Sequence, residues 1–119
     1  MREKLSKKDR LEHIVAAIDR VFRFLEGITA EGFKENEMVQ FAVIKNFEII
    51  GEAAYHIPKD YRMKNEEVIE WRKIIAFRHI LIHDYYKINT AIIWNAVENK
   101  LPELKEEIEK LIEKEEDIK

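Results

Sequence analysis

A helical rhythm of apolar residues runs nearly from one end of this chain to the other, and it leaves little room for any fold but a helical one. Leu11, Ile14, Val15, Ile18, Val21, Phe22 and Leu25 recur at the i, i+3, i+4, i+7 spacing of a single buried helix face. Ser6, with Asp9 three residues on, signals a start, and Gly27 signals a stop, so the spacing predicts a first helix over 7–26. Residues 29–32 then read as a loop. Asn36 predicts the cap of a second helix over 37–55, and 58–64 reads as a polar connection closed in by Pro58. Asn65 predicts the cap of a third helix, with Glu66, Glu67 and Glu70 in its positive first turn. That helix carries Trp71, Ile74, Ile75, Leu81 and Ile82 and fades near 83–87. Asn89 starts a short fourth helix with Ile92, Ile93, Ala96 and Val97. Pro102 fits the first turn of a fifth, with Leu104, Ile108, Leu111 and Ile112 inward. No stretch alternates like a strand, and three Gly and two Pro supply little for hairpin turns. The expectation is all-α: an up-down bundle of about five helices forming one domain over residues 1–119.

Composition removes several function classes. There is no Cys, so disulfide frameworks, thiolate metal sites and Cys nucleophiles are excluded. No Gly-rich phosphate loop and no metal-ligand cluster stand out. With 21 basic and 24 acidic side chains the net charge is −3, which rules out a protein that coats nucleic acid by bulk charge. Basic residues at the start are not followed by an apolar stretch, and no apolar run approaches the length of a membrane span. A cytoplasmic protein without a membrane role is therefore expected.

The second helix is apolar on two sides. Val39, Ala42, Val43, Ile49, Ile50 and Ala53 share one face, while Phe41, Ile44 and Tyr55 fall nearly opposite. Such a helix is either central in its own domain or shared with a partner. Gly51 inside it costs about 1 kcal/mol of helix propensity relative to Ala, which points to close helix packing at that position.

The third helix contains an anomaly. On a wheel at about 100° per residue, Arg78 falls within about 20° of Trp71, in the middle of the apolar stripe. An unpaired guanidinium buried there would cost several kcal/mol. Two compensations are open: an ion pair with Glu52 or Asp84, or an anion site, for example at a subunit interface. His83 and Tyr85 follow, giving the pattern Arg78-x4-His83-x-Tyr85, with His79 and Asp84 close by. In one straight helix Arg78 and Tyr85 share a face, whereas His83 is rotated away by about 140°. Convergence of Arg78 and His83 thus needs a helix break or two copies meeting at a dimer axis. Read alone, His83 is either a packed or capping residue or a catalytic one. Glu52 is either an auxiliary site residue or a salt-bridge partner of Arg78 or Lys45. Trp71 and Trp94 read as core.

The cluster has a chemical use. Arg holds a phosphate bidentately and stays charged as negative charge grows. Histidine titrates near neutrality and can act as base and then acid. Metal-independent RNA cleavage, in which the 2′-hydroxyl attacks its own phosphodiester, needs these two groups and none of the chemistry that the composition lacks.

The stretch from Trp71 through Arg78, His83 and Tyr85 resembles the R-x4-H-x-Y signature of HepT-like proteins of the HEPN superfamily. Two further blocks agree: Ile50-Gly51-Glu52-Ala53, and Trp94 followed by Leu101-Pro102-Glu103-Leu104. The likeness spans Leu11 to Ile112, and His79 stands where the family often has Asn. The resemblance implies an all-α homodimer whose motif residues from both copies line one cleft. It also implies a ribonuclease toxin of a type VII toxin–antitoxin pair, silenced by a small MntA-like nucleotidyltransferase that transfers AMP from ATP onto the motif tyrosine. Carried over by position, Arg78 and His83 are catalytic and Tyr85 is the AMP acceptor, with His79, Asp84 and Glu52 as auxiliary candidates. No metal, no resident cofactor and no DNA partner are implied; RNA is the substrate. The alternative is a non-catalytic module that presents a substrate, or itself, to the nucleotidyltransferase.

The net charge is unevenly spread. Residues 102–119 carry eight acidic and four basic side chains, whereas 71–87 carry four basic residues and only Asp84 as an acid. The sequence therefore describes a nearly neutral body with one basic segment and an acidic terminal helix, which leaves a local RNA site open.

Overall fold

A computed structural model of the chain describes residues 5–84, 86 and 88–117. Among them the only regular elements are helices: α1 (Lys7–Phe24), α2 (Ala30–Glu35), α3 (Glu37–His56), α4 (Lys59–Lys64), α5 (Trp71–His83), α6 (Thr90–Asn99) and α7 (Leu101–Asp117). The all-α expectation holds. The count exceeds five because the two segments read as connections each form a six-residue helix.

Local chemistry explains most helix starts. Ser6 and Asp9 form a reciprocal capping box: the Asp9 amide donates to Ser6 Oγ (3.1 Å) and the Ser6 amide to Asp9 Oδ2 (2.9 Å). The Ser6 amide's bond to the carboxylate is the largest cause holding Asp9 below the usual carboxylate range. Asn36 and Asn89 accept from the amides of Val39 (3.1 Å) and Ala91 (2.8 Å), capping α3 and α6 as their positions predict. Thr29 does the same for the unforeseen α2, accepting from the Gly32 amide at 3.0 Å. Gly27 takes φ of +73° in the turn after α1, a conformation that favours glycine.

One start differs from expectation. Asn65 does not cap α5. It is the C-terminal cap of α4, and its side-chain amide donates to the Tyr61 carbonyl at 2.9 Å. Glu66 and Glu67 lie in the turn beyond, and α5 begins at Trp71 with no side-chain cap from Glu70. Asn serves either helix end, because its short side chain both accepts from free amides and donates to free carbonyls. Glu70 instead pairs with Lys73 (2.6 Å), whose ammonium holds the carboxyl below its ordinary range.

The core is built on α1 and α3, which pack along their lengths; α5 covers α3 and α7 covers α1, while α6 lies on α2 and α7. Leu11, Ile14, Ile18 and Val21 of α1 meet Val43, Phe47 and Ile50 of α3 in one continuous buried cluster with Trp71 and Leu81 of α5 and Ile108 of α7. Asn46 is the polar exception within this interior. It donates to the Ala42 carbonyl (2.9 Å) and accepts from Arg20 Nε (2.7 Å), so both ends of its amide are satisfied and α1 is tied to α3. Trp94 stacks at a tilt on buried Phe33, with centroids 5.5 Å apart, anchoring α6 to α2. None of the helices among the described residues is long and apolar enough to cross a membrane.

Tyr61 pins α4 between the two ends of the chain. Lys7 sits 4.3 Å from its ring centroid and pairs with Glu115 at 3.2 Å. Burial, and then the Glu115 carboxylate, push the phenol up from its ordinary 10.0 to about 12. The neutral phenol is the form that the fold favours, so its contribution is fully present below pH 10.0 and is lost as pH rises toward about 12. Alkaline unfolding followed by circular dichroism should show stability declining through that window, and Tyr61→Phe should flatten the decline.

Candidate active site

The site begins with the closeness of two helices. Gly51 of α3 faces Arg78 of α5, and a Cβ built at position 51 would fall 2.9 Å from Arg78 Cδ, 3.0 Å from its Cγ and closer still to its Cβ. The interior glycine is therefore a contact surface, as its helix-breaking cost suggested. With α5 pressed against it, the Arg78 side chain lies along α3 and its Nη2 reaches Glu52 Oε2 at 2.5 Å. Of the two acids that could compensate Arg78, the structure selects Glu52; Asp84 caps the end of α5, its amide donating to the Ile80 carbonyl at 2.8 Å.

Arg78 is partly covered rather than sealed. About a quarter of its side chain, 27 %, remains exposed, as does 45 % of Glu52. An ion pair this open is screened and contributes at most about 1 kcal/mol to stability. Glu52 is also shared: His56, one turn on, sits 2.9 Å from its Oε1. Glu52 occupies one amino group of the guanidinium, and the fork retains further N–H donors for an anion.

Around Arg78 lies an open cleft of about 230 Å³ between α1, α3 and α5. Arg10, His13, Lys45, Glu48 and Ile82 line it together with Arg78 and Glu52. Three permanent cations thus face two carboxylates. The α1 contribution was not foreseen. Arg10 and His13 share a helix face by their three-residue spacing, but only the α1–α3 packing turns that face toward Arg78.

His83 is placed differently. It is the last residue of α5, exposed, and does not line the cleft. Its neighbour is His79, one turn back and also exposed, with ring centroids 4.4 Å apart. Within one chain, then, Arg78 meets Glu52 while His83 meets His79, in keeping with the rotation expected along a straight helix. Tyr85 lies outside the described residues. Ile80 and Ile82 beside the motif are 45 % and 38 % exposed, and Phe41 and Tyr55 on the outer face of α3 are 58 % and 56 % exposed. The second apolar side of α3 is thus left open to solvent, except at half-buried Ile44.

A larger cavity of about 420 Å³ lies elsewhere, lined by Phe47, Ile50, Ile74, Phe77 and Leu104 among others. It is the roomier space but holds neither Arg78 nor His83, and its walls are mainly apolar. Among the described residues no three His, Asp or Glu side chains are grouped to hold a metal.

The sequence matches the family model described as ribonuclease HepT-like over residues 14–111, and the chain belongs to that family. Among curated proteins it is similar to a probable ribonuclease HepT of Thermococcus cleftensis, 41 % identical over 108 residues that cover 91 % of this chain and 97 % of that one. It is also similar to a candidate RNase of Caldanaerobacter subterraneus subsp. tengcongensis, 34 % identical over 88 % of this chain and 93 % of the relative. A third relative, a candidate RNase of Methanocaldococcus jannaschii, is 36 % identical over 88 % and 98 %. No solved structure matches the chain significantly.

Gly51→Ala tests the seam. Alanine gains about 1 kcal/mol of helix propensity, but overpacking costs about 1–3 kcal/mol. The cost should prevail, because the Arg78 Cβ is fixed to its backbone and cannot rotate aside, so α5 itself must move. The urea midpoint should fall; an unchanged or raised midpoint would mean that α5 is not pressed against Gly51.

Proposed function

We propose that this protein is an endoribonuclease toxin that cleaves RNA without a metal ion. The observation that carries the reading is an accessible Arg78 and His83 in a chain of the HepT-like ribonuclease family. Arg78 is held on α3 with its guanidinium partly open, and His83 is exposed at the end of α5. The naming of relatives as ribonucleases supports the reaction class.

In this reading the cleft is completed by a second copy of the chain. The exposed apolar residues of α3 and α5 give such a copy something to cover, and the divergence of Arg78 and His83 on one helix gives it a catalytic purpose. His83 takes the proton from the ribose 2′-hydroxyl; the 2′-oxygen bonds to phosphorus and the bond to the 5′-oxygen breaks. The leaving 5′-oxygen receives a proton from an imidazolium at the same cleft, leaving a 2′,3′-cyclic phosphate. Arg78 stabilises the phosphorane charge through the donors that Glu52 leaves unused. Lys45 and Arg10 extend the positive lining along the strand.

Regulation follows from the same chemistry. A nucleotidyltransferase of the MntA kind transfers AMP from ATP to the Tyr85 hydroxyl, forming a phosphodiester and releasing pyrophosphate. The attached phosphate brings an anion that competes with the RNA phosphate for the site's cations.

Purified protein should cut RNA with EDTA present. His83→Ala should lower the rate by about 10²–10⁴-fold and Arg78→Ala by about 10²–10³-fold, with both variants folded by circular dichroism. An uncut substrate with the unmodified protein would sink the nuclease reading and favour the partner-presenting module. In a second experiment, co-expression with the cognate nucleotidyltransferase should add one or more AMP units to the intact mass, and Tyr85→Phe should abolish the shift.

A further inference from the structure

We propose that His79 and His83 form a two-imidazole clamp for a transition-metal cation of the Zn²⁺ class, and that an ion held there shuts the nuclease off. The inhibitory half rests on the reading of His83 as acid/base; the binding half stands on geometry alone.

The two histidines lie one helical turn apart on the exposed side of α5, with ring centroids 4.4 Å apart and planes tilted by 46°. Histidines at i and i+4 share a helix face, the spacing with which helices present paired imidazoles to zinc. Zinc–nitrogen bonds of about 2.0–2.1 Å put two nitrogens on one tetrahedral ion roughly 3.3 Å apart. The rings already lie side by side, with centroids 4.4 Å apart, and the clamp requires one nitrogen of each to turn toward a shared ion. Both rings are exposed, so water can complete the coordination shell. His83 ends α5, where unpaired helix carbonyls carry partial negative charge, and Asp84 follows directly as the one acid of the otherwise basic segment 71–87. Arg78 points away to Glu52 on α3 and does not sit between the rings. Two ligands make a site of modest affinity, open to exchange, which is what reversible inhibition requires. Imidazole selectivity places Cu²⁺ and Zn²⁺ well ahead of Mg²⁺ or Ca²⁺.

The effect on chemistry follows from the lone pair. A His83 nitrogen that coordinates a cation has no free pair with which to accept the 2′-hydroxyl proton. The same residue that moves the proton is thereby the residue that senses the metal, and His79 is what makes the pair a chelate.

The test is calorimetric titration of the full-length protein with Zn²⁺. One ion per chain is expected. His79→Asn and His83→Asn should each weaken binding by at least the roughly 10–100-fold that even an outer-shell partner costs, whereas His13→Asn and His56→Asn should leave it unchanged. Mg²⁺ should give no heat. Loss of binding in the His13 or His56 variant instead, or no saturable Zn²⁺ binding, overturns the clamp whatever the protein does to RNA. In the cleavage assay Zn²⁺ should inhibit and EDTA restore activity, and His79→Asn should raise the inhibitory Zn²⁺ concentration by the factor seen in calorimetry. Inhibition equal in wild type and His79→Asn overturns the regulatory half. A chain that binds Zn²⁺ as described yet never cuts RNA removes the nuclease reading and leaves the clamp.

Discussion

The approach of α5 to α3 at Gly51 is the contact from which the rest of the site follows. A side chain at position 51 would hold the two helices apart by its own thickness, and Arg78 would then have no route along α3 to Glu52. The missing Cβ thus does two jobs with one omission. It closes the seam, and it converts a guanidinium within an apolar stripe from a liability into an anchored, half-open donor. Glu52 follows Gly51 directly, so the residue that permits the approach and the residue that receives the charge are fixed in the same turn of helix.

Much of this architecture can be read from the chain itself, for a reason particular to long helices. The capping box of Ser6 and Asp9, the caps Asn36 and Asn89, and the stripe from Leu11 to Leu25 are local signals that fall within one element. The short helices leave no signal in the sequence because six residues give no period. α2 contributes a single buried residue, Phe33, and α4 has none. Isolated helices of that length do not persist, and these stand on tertiary contacts: Phe33 against Trp94, and Tyr61 beneath Lys7. Asn65 differs from expectation for a related reason: its residue type suits both ends of a helix, and only α4, which has no period of its own, decides between them.

The site was legible in the same uneven way. Arg78 announced itself by contradicting its own helix face, and Gly51 by its cost, so their meeting with Glu52 was within reach of the sequence. Arg10, His13 and Lys45 were not, because nothing in their spacing tells which neighbouring helix they face; that depends on how α1 and α3 are rotated about each other, with Arg20 and Asn46 recording the result. The motif spacing also predicted that Arg78 and His83 diverge, and they do. A contiguous motif in sequence is here two separate places on one surface, Arg78 against Glu52 and His83 beside His79.

The placement of α7 gives the molecule a direction. Its acidic side chains meet α1 on the flank of Glu12, Ala16 and Asp19, where Lys105 pairs with Asp19 at 2.8 Å. Arg10 and His13 look the other way, into the cleft with Arg78. One helix thus separates a flank of Glu12, Asp19, Glu109 and Glu113 from a groove in which Arg10, Lys45 and Arg78 outnumber Glu48 and Glu52. A surface divided in this way repels a polyanion from one side and draws it to the other, so orientation can be selected during encounter rather than after contact. A nearly neutral protein can in this way bias the angle of approach without the indiscriminate stickiness that a strongly basic one would carry.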